Sequence, residues 1–191
     1  MIEHLFISKV RVKLLVLFFS DLSREIHIRG IVRKIDEEIN AVRRELKNLE
    51  KTGVLLKEQR GNRLYYKVNP HSPLFYEILG LVHKESGLGS SIISKQDEMG
   101  TVLYALITSA YIENHHPSQY DIDVLIIGDV NLKAVSATIK SAEAEIKREI
   151  RYTVMNEEEF EFRKRKRDVF VMNILNKHKI MLIGDENRLL A

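Results

Sequence analysis

Every residue from Leu14 to Phe19 is apolar, and Lys13 precedes the run. The run is too short to span a bilayer and has no small-residue cleavage site. It therefore reads as a buried helix, Ser8 to Phe19, with Ser8 as its cap. A helix apolar nearly all round needs cover on more than one side, and in a small domain the second side often faces another subunit. Glu25-Ile26-His27-Ile28 alternates as a strand does, and a short helix follows from Arg29 to Ile35. From Asp36 to Lys51 the apolar residues Ile39, Val42, Leu46 and Leu49 recur at helical spacing. Asp36 is the expected cap of that helix, and Gly53 its stop. Val54 to Arg60 and Arg63 to Val68 read as strands joined by Gly61-Asn62, a tight hairpin signal. Pro73 can open a further helix that runs to Lys84.

Glu85-Ser86-Gly87-Leu88-Gly89-Ser90-Ser91 is rich in Gly and Ser and reads as a linker. It divides the chain into domains 1–84 and 92–191, with 85–91 between them. The second half alternates. Strands are expected at Thr101 to Ser109, Asp121 to Ile127, Ile150 to Met155 and Lys179 to Ile183. Helices are expected at Asn131 to Arg148, Asn156 to Arg167, Asp168 to Asn176 and the terminus. The Asn131 helix has Leu132, Val135, Ile139, Ala142 and Ile146 on one face. The fold class is α+β, with a small mixed sheet in the C-terminal domain.

Composition changes this picture in two places. The chain has no cysteine, which excludes disulfides, thiolate metal sites and cysteine nucleophiles and suits a reducing cytoplasm. The net charge of +3 is modest, but Arg29 to Lys67 carries eleven Lys/Arg against six Asp/Glu. That local excess points to one region facing a polyanion.

The basic residues fall into a pattern. Asn40, Arg44, Lys47 and Lys51 form a stripe opposite the apolar face of their helix, with Arg43 beside it. This is the layout of a recognition helix, in which Asn can pair with adenine, Arg with guanine, and Lys with phosphate. Gln59, Arg60, Asn62 and Arg63 crowd the hairpin turn, where a projecting basic loop can follow the DNA backbone or enter the minor groove. Double-stranded DNA is the expected partner. The alternative is a pair of solvated charged faces.

The run from Asn40 to Leu55, followed by Gly61-Asn62-Arg63-Leu64-Tyr65-Tyr66, resembles winged helix-turn-helix regulators of the ArsR-like group. The resemblance is greatest to a subgroup fused to a C-terminal nucleotidyltransferase-like domain of the polymerase-beta-like fold. Arg29-Gly30-Ile31-Val32 fits the first motif helix, and Gly87-Leu88-Gly89 fits the fusion. The resemblance implies homodimers formed partly through the first helix. Metal-sensing members use cysteines, which this chain lacks.

Asp121-Ile122-Asp123 opens an apolar strand. Residues two apart on a strand share a face, so the two carboxylates can hold Mg²⁺ against a nucleotide. Acids at the start of a strand are also often just solvated. The order of elements resembles minimal nucleotidyltransferases, including those of toxin–antitoxin pairs, whose signature is Gly-Ser, then Arg-Gly, then Asp-x-Asp. Ser109 is the nucleotide-binding candidate on that pattern. The chain departs from it in three places: Thr108 takes the glycine position, Ile112 and Glu113 replace Arg-Gly, and Tyr152 and Thr153 stand where a third carboxylate belongs. His115-His116 reads as a solvated loop pair rather than a metal site. The expected function is therefore a DNA-binding transcriptional regulator that requires no cofactor. Its C-terminal domain is expected to be a degenerate nucleotidyltransferase-like fold that senses a ligand or binds a partner protein. The alternative is an active Mg²⁺-dependent nucleotidyltransferase of the toxin–antitoxin type that regulates itself through DNA.

Overall fold

The computed structural model describes residues 7–115, 117–118 and 120–191. The chain divides into two compact units, Met1–Glu85 and Ser86–Ala191.

In the first unit, helix α1 (Lys9–Phe19) is capped by the Ser8 hydroxyl, which accepts from the Arg11 amide at 3.3 Å. Leu14, Leu15, Phe18 and Phe19 are all buried within their own unit. The second apolar side expected of this helix is thus reduced to half-buried Val16 and Leu17. Strand β1 (Ile26–His27) leads into α2 (Ile28–Ile35), whose first turn is capped by His27 Nδ1 accepting from the Gly30 amide. Asp36 then takes a left-handed conformation, φ 50°, and ends α2. The next helix, α3 (Ile39–Lys51), therefore begins three residues later than expected. Its cap is the Glu38 carboxylate rather than Asp36, and it accepts from Asn40 and Ala41 amides at 2.8 and 2.9 Å. Strands β2 (Leu55–Arg60) and β3 (Arg63–Val68) form the hairpin, and β1 pairs with β3 on its other side. Helix α4 (Phe75–Glu85) brings Phe75 against Phe19, with ring centroids 5.9 Å apart.

One carboxylate enters this core. Glu45 on α3 is 4% exposed and accepts from Arg11 Nε at 2.9 Å, tying α1 to α3. Burial alone would raise its carboxyl. Arg11, with Ser8 and Asn48, outweighs that and holds it below the ordinary range.

His83 on α4 is buried, and burial pushes its imidazole down from 6.5 to about 4. Between those values the unfolded chain takes up a proton that the folded unit does not. Stability of this unit is therefore expected to fall as pH drops from about 6.5 towards about 4, by at most about 1.4 kcal/mol per pH unit. Urea unfolding of the wild type and of His83→Leu at several pH values checks this. The same pH slope in both would remove His83 as its source.

In the second unit, the Gly/Ser stretch expected as a linker is mostly helix. Helix α5 (Gly87–Ser94) buries Leu88, Gly89 and Ile92. Leu88 and Ile92 stand four apart, so they share a face, and that face belongs to a core cluster with α7. After a 3-10 turn (Gln96–Met99) come β4 (Gly100–Thr108), α6 (Ser109–Glu113), β5 (Val124–Val130) and α7 (Leu132–Ile146). Then follow β6 (Tyr152–Met155), α8 (Glu157–Arg165), α9 (Val169–Leu175), β7 (Lys179–Ile183) and α10 (Glu186–Leu190). Leu132, expected on the apolar face of α7, is exposed.

The sheet order is β6-β5-β4-β7. β5 runs parallel to β6 and antiparallel to β4, so the sheet is mixed. Strand β5 is apolar without alternation because both faces are covered. Val124 and Ile126 join a cluster with Leu88, Ile92, Val135 and Ile139. Leu125 and Ile127 join one with Phe160, Val171, Ile174 and Leu189. Gly128, at φ +148°, faces the β4 bulge, where an added Cβ would meet the Thr101 carbonyl at 2.1 Å. Among the described residues, no helix is long and apolar enough to cross a membrane.

Candidate nucleic-acid interface

Helix α3 is split between two environments. Val42, Leu46 and Leu49 are buried, while Asn40, Arg43, Arg44, Lys47 and Lys51 are exposed. Ile39, expected in the core, is only half-buried because it opens the helix beside a cleft. That cleft, about 370 Å³, lies between α2, the start of α3 and the hairpin turn. Arg29, Arg43, Asn62 and Arg63 line it. A neighbouring cavity of about 520 Å³ adds Arg33 beside Arg29 and Arg63. The fold thus gathers cations from three elements onto one surface.

The side chains of Arg43, Arg44, Lys47, Lys51 and Arg63 make no ion pair with a described residue. Exposed and outside any ion pair, with Glu38 near Arg43 and Arg44, they are available to an external polyanion. Arg60 differs from them. Its guanidinium is 2.7 Å from both Glu58 and Glu25 and lies 5.3 Å from the Tyr65 ring centroid. The hydrogen bonds it donates to Glu58 and Glu25 raise its pKa, and Lys67 pairs with Glu25 as well. Arg60 therefore braces the hairpin, with its charge already balanced.

Arg29 and Arg33, which line this surface, are not among the residues that the sequence singles out. Their spacing of four on α2 puts them on one helical face, which was the available signal. Their convergence with Arg63 is tertiary, because the hairpin turn folds back to them from thirty residues away.

The carboxylate pair in the second unit is arranged differently from the expectation. Asp121 and Asp123 precede β5, so the strand rule that two residues apart share a face does not govern them. Asp123 is fully buried. Its Oδ1 accepts from Arg148 Nη2 at 2.7 Å, and its Oδ2 from the Arg151 amide at 2.9 Å. Arg148 also donates to the Tyr111 carbonyl at 3.2 Å and stacks 4.5 Å over the Tyr111 ring. Asp121, 5% exposed, accepts from the Ser118 amide at 2.8 Å and from Asn173 Nδ2 at 3.3 Å, with Lys177 Nζ at 3.8 Å. The two carboxylates have none of these partners in common.

Mg²⁺ needs several open oxygens in near-octahedral array. Both oxygens of Asp123 are committed, and a guanidinium already balances its charge. These residues do not fit a bound divalent ion. The phosphate side does not fit either. The Thr108 hydroxyl donates to the Ile122 carbonyl, and the space beside Thr108, Ser109 and Asp121 is about 10 Å³. Among the described residues, no group of three or more His, Asp or Glu is placed to hold a metal. His115 is exposed, and His116 lies outside the described residues.

No family model matches the chain, and no curated protein matches it. Two solved structures show partial likeness. Reduced HlyU from Vibrio cholerae is 15% identical, with 41% of this chain and 77% of that chain covered at a TM-score of 0.35. Rv0081 from M. tuberculosis is 18% identical, with 48% and 84% covered at a TM-score of 0.36.

Proposed function

We propose that the protein is a sequence-specific DNA-binding transcriptional regulator and that its first unit is an ArsR-like winged helix-turn-helix. The observation that carries this reading is the cleft where Arg29, Arg43, Asn62 and Arg63 meet. A helix laid in the major groove and a hairpin on the adjacent backbone need cations on both elements, facing the same way. The stripe Asn40, Arg44, Lys47 and Lys51 supplies base-reading and phosphate-binding groups on the open face of α3. The regulator acts in the cytoplasm as a homodimer. Val16 and Leu17 on α1 and exposed Leu74 and Tyr76 by α4 are apolar positions that suit a seam.

The second unit is read as a nucleotidyltransferase-like fold that has lost its chemistry and senses a ligand or binds a partner protein. The Asp123–Arg148 pair weighs against the alternative of an active Mg²⁺-dependent transferase. Selection of bound duplexes from a random pool, with and without nucleotide, tests the regulator. A defined two-fold motif is expected, with half-sites about one helical turn apart, on the order of 34 Å. Recovery of all sequences alike would falsify specific regulation.

A further inference from the structure

A cavity of about 800 Å³ opens in the second unit, lined by Asp121 but not by Ser109. Its size is that of a small-molecule pocket. Its two walls differ in character. Met155, Val169 and Phe170 make one wall apolar, and Val169 is 84% exposed at the first position of α9. The other wall is charged. Glu159 Oε1 holds Arg163 at 2.7 Å, while Asp168 Oδ1 lies 3.9 Å from it and caps α9. The second oxygen of each carboxylate makes no hydrogen bond with a described residue.

The charges in the cavity decide the ligand class. Among the described residues that line it, Asp121, Glu159 and Asp168 stand against Arg163 and Lys177, which leaves one negative charge over. A nucleoside triphosphate would bring several more negative charges to a wall that already has an excess. The space that would take its phosphates, beside Ser109, is only about 10 Å³, and Asp123 is already paired with Arg148 rather than open to a cation that would offset them. A single positive charge on an apolar body matches both walls at once. We propose that this cavity binds a small organic cation, an amine carried on an aromatic or aliphatic group, without a metal. This deepens the sensing role given above to the second unit and names its ligand class, but pocket binding is measurable without DNA.

The probe is phenethylamine, with phenylacetate and ATP, alone and with Mg²⁺, as the opposing charges. The readout is the Met155 methyl resonance in the full chain, assigned through Met155→Leu. Phenethylamine is expected to shift it saturably in the millimolar range, as suits a fragment-sized ligand. Phenylacetate and ATP should leave it in place. Val169→Arg changes an exposed residue, so the fold is retained, and it sets a like charge at the mouth. It should weaken the amine at least tenfold. Glu159→Gln with Asp168→Asn should do the same, since Asn keeps the helix cap. Equal binding of phenylacetate, displacement of the amine by ATP, an unsaturable shift, or indifference to Val169→Arg would each overturn the proposal. Loss of DNA specificity in a separate selection would remove the regulator reading and leave the pocket measurement as it stands.

Discussion

Replacing Arg148 by methionine is expected to destabilise the C-terminal unit by about 3–5 kcal/mol, the usual cost of breaking a buried pair. The cost comes from the partner left behind. Asp123 is fully buried and would face a thioether chain in place of its guanidinium partner. The Arg151 amide would still donate to Oδ2. The Tyr111 carbonyl would lose one of its donors but keep the Asn114 amide, and its ring would lose the stacked guanidinium. The double variant Asp123→Asn, Arg148→Met should recover most of the loss, because no unpaired charge remains. Urea unfolding of the full chain reads both, and the transition of the first unit should not move. Mg²⁺ is a further discriminator. A ligand that binds only the folded state raises its stability, so millimolar Mg²⁺ should leave the wild-type midpoint unchanged. A midpoint that rises with Mg²⁺, and only while Asp123 is present, would show the pair giving way to a metal and would revive the transferase.

The elements of the first unit were legible because their core residues are local. Val42, Leu46 and Leu49 sit three or four apart, and a helix is the one regular structure that puts them on one face. The cap was not legible. Asp36 and Glu38 are both acceptable before a helix, and the choice rests on the left-handed turn at Asp36. Composition misled at Gly87 to Ser91, where small residues were read as flexible. Leu88 and Ile92 were the contrary signal, and they decide the matter by packing on the α7 side of the sheet. The carboxylates were misread for a deeper reason. Their period-two spacing was visible, but their partners stand at Arg148, Arg151 and Asn173, and no local pattern reaches that far. Arg60 shows the same limit. It looked like its neighbour Arg63, and only the folded register sets it against Glu25 and leaves Arg63 open.

That contrast between two arginines of one hairpin sets up the second large effect, on DNA. Arg44→Ala should cost about 1–3 kcal/mol on the selected site and relax its preference, as loss of a base contact does. Arg63→Ala should weaken all duplexes alike and lower the salt slope by about 1, as loss of a phosphate contact does. Arg29 lines the same cleft as Arg63, so the double alanine variant should lower the slope by about 2. Arg60→Ala is the control. Its charge is balanced by Glu58 and Glu25, so its removal should change the slope little. Filter binding or anisotropy across a salt series measures all four. A pool of exposed charges with no shared surface would give each arginine the same small effect. The cleft demands a ranking, with Arg29 and Arg63 changing the slope, Arg44 the preference, and Arg60 neither. An Arg63→Ala slope equal to that of the wild type, like the slope of Arg60→Ala, would mean that the hairpin lies away from the DNA, and the interface would shrink to α3.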